Sequence, residues 1–155
     1  MTEIIQLVTA LAGSFGFALL LNVRGIKLIP ASVGGLFAWG VYLFVFALTG
    51  SEHMSCFIAA MGLALYAELM SIAMKAPATL FLVSAAIPLI PGSLLYATAR
   101  CLVMGDYAGF LSNGQNTLIT AAAISIGMLV MISLFSLVRK TVEKFKLLVA
   151  YRRRR

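Results

Sequence analysis

The chain alternates between long apolar segments and short polar ones. The apolar segments have roughly twenty residues each, the length that crosses a bilayer as an α-helix. They cover about 4–22, 31–50, 55–74, 78–104 and 117–138. The turn-forming residues between them are Gly25, Pro30, Gly50, Ser51, Asn113 and Gly114. The pattern predicts an all-α integral membrane protein in which about five transmembrane helices form a single transmembrane domain over residues 1–155.

The fourth apolar segment is too long for one straight helix. At 1.5 Å per residue it would reach about 40 Å, whereas the hydrocarbon core of a bilayer is about 30 Å thick. Its centre reads Ile87-Pro88-Leu89-Ile90-Pro91-Gly92-Ser93. Because each proline removes a backbone donor and clashes with the preceding turn, a helix cannot continue straight through this segment. We therefore predict that the fourth helix is broken at Pro88–Gly92.

Composition supports the membrane assignment. Hydrophobic residues make up 62% of the chain and charged residues only 11%, whereas soluble domains carry about 25% charged residues. The first residues lack the basic region and cleavage site of a signal peptide, so we expect the first apolar segment to remain in the protein. The sequence contains no hydrolase, metalloprotease or Walker A motif. We expect neither enzymatic activity nor a cofactor.

Charged residues divide between alternate junctions of the predicted spans. Arg24 and Lys27 follow the first span, and Lys75 follows the third. The cations after the fifth span are Arg139, Lys140, Lys144, Lys146 and Arg152 to Arg155. The acidic residues at the opposite junctions are Glu3, Glu52 and Asp106. The positive-inside rule then predicts an N-terminus outside the cell and a C-terminus in the cytoplasm.

Residues 139–155 are interpreted as a basic cytoplasmic tail. The net charge of +7 also raises the question of nucleic-acid binding. However, the cations flank membrane spans, where they anchor topology and attract anionic lipid headgroups. We expect anionic lipids, and no nucleic acid, as partners of this tail.

Glu68 lies inside the third span, about 10 Å from the cytoplasmic boundary at helical rise. A carboxylate at such a depth costs about 3 kcal/mol unless it is paired, protonated or exposed to water. Two interpretations stay open. Glu68 couples protons to transport, or it forms a structural ion pair with Lys75 or Arg24.

Beyond the break, Ser93, Tyr96 and Arg100 form a polar stripe at helical spacing. Ser93 is expected to cap a helix that restarts there, and the free N–H groups of that helix end carry partial positive charge. Near the bilayer midplane such an end attracts a substrate carboxylate. The alternatives are a proline kink that only shapes packing, and an Arg100 that snorkels or pairs with Asp106.

Three further features are weaker signals. The small-residue pairs that predict close helix contacts are Ala12/Gly16, Ala60/Ala64 and Ala123/Gly127. Trp39 lies too deep in the second span for an interfacial aromatic belt. Cys56 and Cys101 both fall near the predicted outer face, and whether they pair stays open.

The segments Lys75-Ala76-Pro77-Ala78-Thr79-Leu80-Phe81 and Ile87 to Ser93, together with Tyr96, resemble the C-terminal half of the threonine/serine exporter (ThrE) family. The length and the five-span layout are similar to its small, YjjB-type subunit. The resemblance implies export of threonine and serine, or of succinate, across the bacterial inner membrane with a five-span YjjP-type partner subunit. An odd number of spans would place a sister half in the opposite orientation, as in inverted-repeat transporters.

We therefore predict a subunit of an exporter for small carboxylated metabolites. Glu68 is the candidate for proton coupling, and no metal site is expected. The candidate substrate-binding residues are Pro91, Gly92, Ser93, Tyr96 and Arg100. Two other classes stay open: an assembly subunit of a larger membrane complex that never contacts substrate, and a homo-oligomeric channel.

Overall fold

The computed structural model describes the backbone of residues 2–152 and the side chains of residues 2–142 and 144. The helices are α1 (Thr2–Leu20), α2 (Leu28–Thr49), α3 (Glu52–Met74), α4 (Ala78–Ala86), α5 (Gly92–Val103) and α6 (Tyr107–Arg152). Short 3₁₀ turns cover Gly25–Lys27 and Ile87–Leu89. Over residues 2–152 there is no strand. Four single helices are long and apolar enough to span a membrane, and the two helices on either side of the break make a bent fifth span if they are counted as one. The predicted all-α membrane fold is confirmed.

Left-handed residues end several helices, and Gly50 is one of the predicted turn residues among them. Pro30, also predicted in a turn, instead lies in the first turn of α2, where a proline gives up no intrahelical hydrogen bond. Gly50 and Gly105 have φ of 64° and 74°, values that glycine adopts without steric cost. Asn22 at φ 58° ends α1, where the N–H groups of Asn22 and Val23 bond to the carbonyls of Leu19 and Ala18. These bonds satisfy carbonyl groups that the end of a helix leaves without a partner.

The predicted break in the fourth span is confirmed. The two helical parts, Ala78–Leu89 and Gly92–Val103, meet at an angle of 54°. Pro91 has φ −74° and ψ 60°, and the carbonyl oxygen of Ile90 accepts a 2.7 Å hydrogen bond from the N–H of Gly92. This is the geometry of an inverse γ-turn. The backbone therefore turns at Pro91, and a new helix begins immediately after it.

Small residues allow the helices to pack closely. Gly35 of α2 lies against Ser14 of α1, and Gly34 lies against Ala85 and Tyr66. Because a side chain on either glycine would overlap these neighbours, the backbones are close enough for van der Waals packing without large residues. The central buried cluster is Ala38, Ala59, Ala60, Leu63, Ala85 and Leu89.

The predicted small-residue contacts are met in part. Ala60 and Ala64 are fully buried, and a side chain on Gly127 of α6 would meet Ala60 and the Phe57 carbonyl. Gly16, in contrast, has no atom within 4 Å of where its side chain would be. The predicted contact through Ala12 and Gly16 is therefore wrong within this chain, because α2 crosses α1 at Ser14 instead.

The basic junctions gather at one end of the bundle. Val23, next to Arg24, and Ala76, next to Lys75, belong to the same buried cluster. At the other end the Nδ1 atom of His53 lies 3.1 Å from the Oγ1 atom of Thr120. Because Thr120 lies beside the start of α3 and Gly127 lies beside its middle, α6 runs parallel to α3 toward the basic end. The basic junctions and the His53 junction thus lie at opposite ends of the bundle. Which end faces the cytoplasm stays a prediction.

The last helix begins earlier than expected. We expected a turn at Asn113 and Gly114 and a span from 117, but α6 begins at Tyr107 and contains both residues. The turn prediction is wrong because Asn113 fits a helix interface: its Nδ2 atom donates to the Gly109 carbonyl at 2.9 Å and to the Cys101 Sγ atom at 3.6 Å.

The far end of the same helix contains the predicted tail. The backbone continues as one helix through Arg139 to Arg152, so the basic segment prolongs the last span rather than forming a separate element. The side chains of Lys146 and Arg152, and all of Arg153 to Arg155, lie outside the described residues.

The helix α5 and the start of α6 form a hairpin that projects beyond the bundle. Thr98 and Thr117 approach within 3.3 Å between their hydroxyl oxygens, so the two helices pack side by side. Thr120 lies level with His53, the second residue of α3. At 1.5 Å per residue, the part of α6 that precedes Thr120 is about 20 Å long. The hairpin therefore extends past the start of α3 by about that length.

Candidate functional site

The break lies between the middle of the bundle and its His53 end. Leu89 packs in the same buried cluster as Ala59 and Ala60 of α3. At helical rise, Ala60 lies about 12 Å from the start of α3. The predicted site is thus within the span but closer to the predicted outer end than the midplane position we expected.

The α5 helix starts at Gly92, directly after Pro91, so Ser93 is not its N-cap. Ser93 was expected to cap this helix, but Pro91 holds the cap position, and no side chain caps the helix. The prediction is wrong because the turn at Pro91 directs the Gly92 N–H to Ile90, so the helix starts one residue before Ser93. Ser93 instead lies exposed in the first turn.

The N-terminus of α5 has unpaired donors, as expected. Its first intrahelical bond runs from the N–H of Leu95 to the carbonyl of Pro91, at 3.0 Å. The N–H groups of Ser93 and Leu94, which come earlier in the helix, have no intrahelical acceptor. Since aligned peptide dipoles add partial positive charge at this end, it favours an anionic group.

The predicted polar stripe is present on an uncovered face of α5. Ser93, Tyr96 and Arg100 are all exposed, and 71% of Tyr96 is accessible. Thr98, on another face, contacts α6, and α5 has no buried residue at all. The stripe therefore points away from the helices of this chain, and its groups are available to a ligand or to another subunit.

Arg100 does not pair with Asp106. The Oδ1 atom of Asp106 accepts a 3.0 Å hydrogen bond from the N–H of Gly109, which makes Asp106 the N-cap of α6. Arg100 forms no ion pair or hydrogen bond with any residue that the structure describes. Asp106 stabilises the hairpin, and the guanidinium of Arg100 remains exposed on the stripe.

Glu68 has none of the structural partners considered for it. The Nε atom of Arg24 donates to the Oδ1 atom of Asn22 at 2.7 Å, and Lys75 leaves the helical conformation at φ 48°. The hydroxyl of Ser71 donates to the carbonyl of Ala76 at 2.6 Å. Within the described part of the chain, the half-buried Glu68 makes no ion pair and no hydrogen bond.

A cavity beside the break was not predicted from the sequence. It has a volume of about 230 Å³ and lies where α1 and α2 meet the 3₁₀ turn Ile87–Leu89. We call it the Gln6 cavity, and its lining residues are Gln6, Thr9, Ala10, Gly13, Trp39, Ile87 and Pro88. The one feature of the sequence that pointed to this cavity was Trp39, which lies too deep in its span for an interfacial aromatic belt.

The polar groups of the Gln6 cavity are neutral. The indole N–H of Trp39 donates to the Oε1 atom of Gln6 across 3.4 Å, a long hydrogen bond. The hydroxyl of Thr9 donates to the carbonyls of Ile5 and Gln6 in its own helix, which leaves its lone pairs free. No described residue accepts a hydrogen bond from the Nε2 atom of Gln6. The cavity thus combines unused amide donors with an apolar wall.

Neither cysteine forms a disulfide. Cys56 is buried in α3, and Cys101 lies in α5 against Asn113. Among the described residues, no group of three His, Cys, Asp or Glu side chains is arranged to hold a metal ion. The chemistry that the site offers is hydrogen bonding and electrostatics at a broken helix.

Comparison with known families decides the class of protein. Residues 6–134 match the profile of the threonine/serine exporter family, ThrE. The chain belongs to the threonine/serine exporter family. The match covers most of the chain and includes the Gln6 cavity, the break and all of α5. No curated protein and no solved structure matches the chain.

Membership in the threonine/serine exporter family identifies a multi-pass membrane transport protein rather than a member of an enzyme family. It also agrees with the sequence resemblance, which rested on residues around Lys75 and the break. The matched range ends before Arg139, so the basic end of α6 lies outside the family profile.

Proposed function

We propose that this chain is one subunit of an exporter for small carboxylated metabolites in the bacterial inner membrane. Threonine and serine are the first candidates, and a succinate-like dicarboxylate is the second. A five-span subunit of the YjjP type would supply the other half of the transport path. Family membership supports the transport activity, while the partner and the choice of substrate are part of the proposal.

The single observation that carries the proposal is the break with its uncovered second half. The two helices on either side of the break are together apolar enough to cross a membrane and meet at 54°, and backbone groups left free at such a break cannot be satisfied by lipid. The α5 helix then presents Ser93, Tyr96 and Arg100 on a face that this chain leaves open. Discontinuous helices of this kind form substrate sites in many secondary transporters. A second subunit against α5 would enclose the site.

The substrate carboxylate would bind at the start of α5. The free N–H groups of Ser93 and Leu94 would donate to it, and the Pro91–Gly92 turn would hold them in place. Tyr96, one helical turn further, would donate a hydrogen bond from its phenol. Such preorganised donors cost little reorganisation when the anion arrives.

Arg100 would choose between the substrate classes. Its guanidinium lies about 10 Å beyond Ser93 at helical rise, on the same stripe. An amino acid has one carboxylate, which the helix end neutralises, whereas a dicarboxylate needs a second positive partner. Loss of Arg100 should therefore reduce export of succinate more than export of threonine, if both are carried.

Glu68 would couple protons to export. Because it lacks a cationic partner among the described residues, its charge in the span is uncompensated. Protonation would remove that cost, so the two protonation states would favour different conformations. Alternation between these states would expose the site to each side of the membrane in turn.

An efflux assay tests the proposal. Cells that express the chain together with the partner subunit are loaded with radiolabelled threonine, and its release is followed at equal membrane abundance of each variant. Ser93→Ala, Tyr96→Phe and Glu68→Gln should each slow efflux several-fold. Tyr107→Phe is the matched control, because Tyr107 is also 71% exposed but lies outside the stripe.

The same assay separates the other classes of function. Wild-type efflux in all three site variants would identify an assembly subunit that does not contact substrate. Full efflux from cells that lack the partner subunit would identify a homo-oligomeric channel. Efflux that needs both subunits and the stripe is the result that the proposal requires.

A further inference from the structure

We propose that the Gln6 cavity binds the hydroxyl-bearing side chain of the exported amino acid and thereby selects threonine and serine. The inference rests on the proposed transport function but concerns residues outside α5 and the polar stripe. It assigns Gln6, Thr9 and Trp39 as specificity residues.

The size and position of the cavity suit a small substrate group. Its volume of about 230 Å³ is below the range of about 300–1,000 Å³ that holds drug-sized ligands. Pro88 lines the cavity, and Gly92 follows it by a few residues in the same turn. The cavity wall and the helix end that would hold the carboxylate are therefore joined by three residues, Leu89, Ile90 and Pro91.

The unused hydrogen-bonding groups match a hydroxyl. A hydroxyl both donates and accepts, and the amide of Gln6 has two free N–H donors and one lone pair beyond its bond with Trp39. The lone pairs of Thr9 can accept from the same hydroxyl. A hydroxyl bound between Gln6 and Thr9 would pair with donors and acceptors that no described residue uses.

The lack of charge in the cavity argues against a carboxylate there. None of the seven residues that line the cavity is ionisable in the physiological range. A carboxylate would lose its hydration without gaining a cation, a larger cost than that of a neutral hydroxyl. The cavity therefore favours hydroxy amino acids over dicarboxylates, and a preference for threonine can come from this site even if α5 accepts any carboxylate.

The apolar wall explains how threonine fits as well as serine. Ala10, Ile87 and Pro88 line the cavity with hydrocarbon surface. The methyl group of threonine would pack on this wall, while its hydroxyl faces Gln6. Valine has the same shape as threonine but carries a second methyl group in place of the hydroxyl. The side-chain amide of Gln6 would then face a methyl group and lose its hydrogen-bond partner.

Fluorescence of Trp39 gives a direct test of binding, since it is the only tryptophan in the chain. The chain, alone and together with the partner subunit, is reconstituted in lipid nanodiscs, and Trp39→Phe supplies the background signal. L-threonine should change the fluorescence saturably, while L-valine and succinate should need about 10-fold higher concentrations, because valine leaves the Gln6 amide unpaired and succinate places a carboxylate in an uncharged site. Equal responses to threonine and valine would overturn the assignment, as would no response to threonine.

Two variants and one control complete the test. Gln6→Leu and Thr9→Val should each weaken the threonine response by about 3- to 10-fold, and neither should weaken the valine response. Gln115→Leu is the matched control, because Gln115 is exposed on α6 away from the cavity. Unchanged threonine binding in both cavity variants would contradict the inference.

Efflux from cells distinguishes this inference from the proposed function. If wild-type cells export threonine and Gln6→Leu lowers the ratio of threonine to valine export, both hold. If Gln6→Leu exports with the wild-type ratio, the cavity assignment fails and the transport function stands. If the wild-type pair exports neither threonine nor serine, the transport proposal fails, whatever the fluorescence shows.

Discussion

The hydroxyl oxygen of Ser14 fills the space that a side chain on Gly35 would occupy. Ser14 is fully buried, and its hydroxyl has no hydrogen-bond partner within the described residues. It lies in the contact between α1 and α2, directly after Gly13, which lines the Gln6 cavity. This contact fixes the distance between the two helices that form one side of the cavity.

Gly35→Ala should therefore destabilise the protein. The added methyl overlaps Ser14, and forced repacking of this kind costs about 1–3 kcal/mol. The measurement is the SDS concentration at which the purified chain unfolds in mixed micelles. Gly16→Ala is the control, since nothing lies within 4 Å of a side chain there. The double variant with Ser14→Gly should recover stability; equal loss in the single and double variants would show that the overlap is not the cause.

Tyr66→Phe should weaken the junction of α2 and α3. The phenol of Tyr66 donates a 2.8 Å hydrogen bond to the carbonyl of Pro30, and its ring stacks on Phe37 at a centroid distance of 5.5 Å. Phenylalanine keeps the ring but loses the bond, which costs about 1 kcal/mol. Unfolding in mixed micelles measures the loss, and Tyr107→Phe, on the exposed hairpin, should unfold like the wild type.

Lys75→Gly should stabilise the fold, although it removes a cation. Lys75 ends α3 at φ 48°, a conformation that costs a side-chain-bearing residue about 1 kcal/mol and costs glycine almost nothing. Lys140→Gly should have the opposite effect, because Lys140 lies within α6 and glycine there costs about 1 kcal/mol. Thermal unfolding in detergent should show a higher melting temperature for Lys75→Gly and a lower one for Lys140→Gly. A lower melting temperature for Lys75→Gly would contradict the prediction.

Orientation can be tested by labelling single cysteines on intact cells. In a background without Cys56 and Cys101, a membrane-impermeant maleimide should label Asp106→Cys from outside. The same reagent should label Lys27→Cys only after the cells are permeabilised, because the positive-inside rule places that junction in the cytoplasm. The reverse pattern would invert the proposed direction of transport.

The break and the spans could be predicted because their causes are local. Pro88 and Pro91 cannot continue a helix wherever they lie, and apolar length alone identifies a membrane span. The polar stripe from Ser93 to Arg100 follows from helical spacing in the same way. These features do not depend on which helices become neighbours.

What the sequence did not predict depends on contacts between distant residues. Gln6 and Trp39 are far apart in the chain, so the cavity follows from how α1 crosses α2. Asn113 has the composition of a turn but packs on Cys101 inside a helix. Ser93 failed as a cap because the Pro91 turn bonds Gly92 to Ile90, a geometry that composition does not specify.

The most direct test of the account is the rate of threonine efflux when the break is removed. In Pro88→Ala with Pro91→Ala, the backbone donors return and the segment can form a continuous helix. Efflux at unchanged membrane abundance should be about 10-fold slower, because a straight helix has no free N–H groups to bind the substrate carboxylate. Pro77→Ala, which alters a proline at the start of α4, should export at close to the wild-type rate. Wild-type efflux in the double variant would contradict the claim that the broken helix is the transport site.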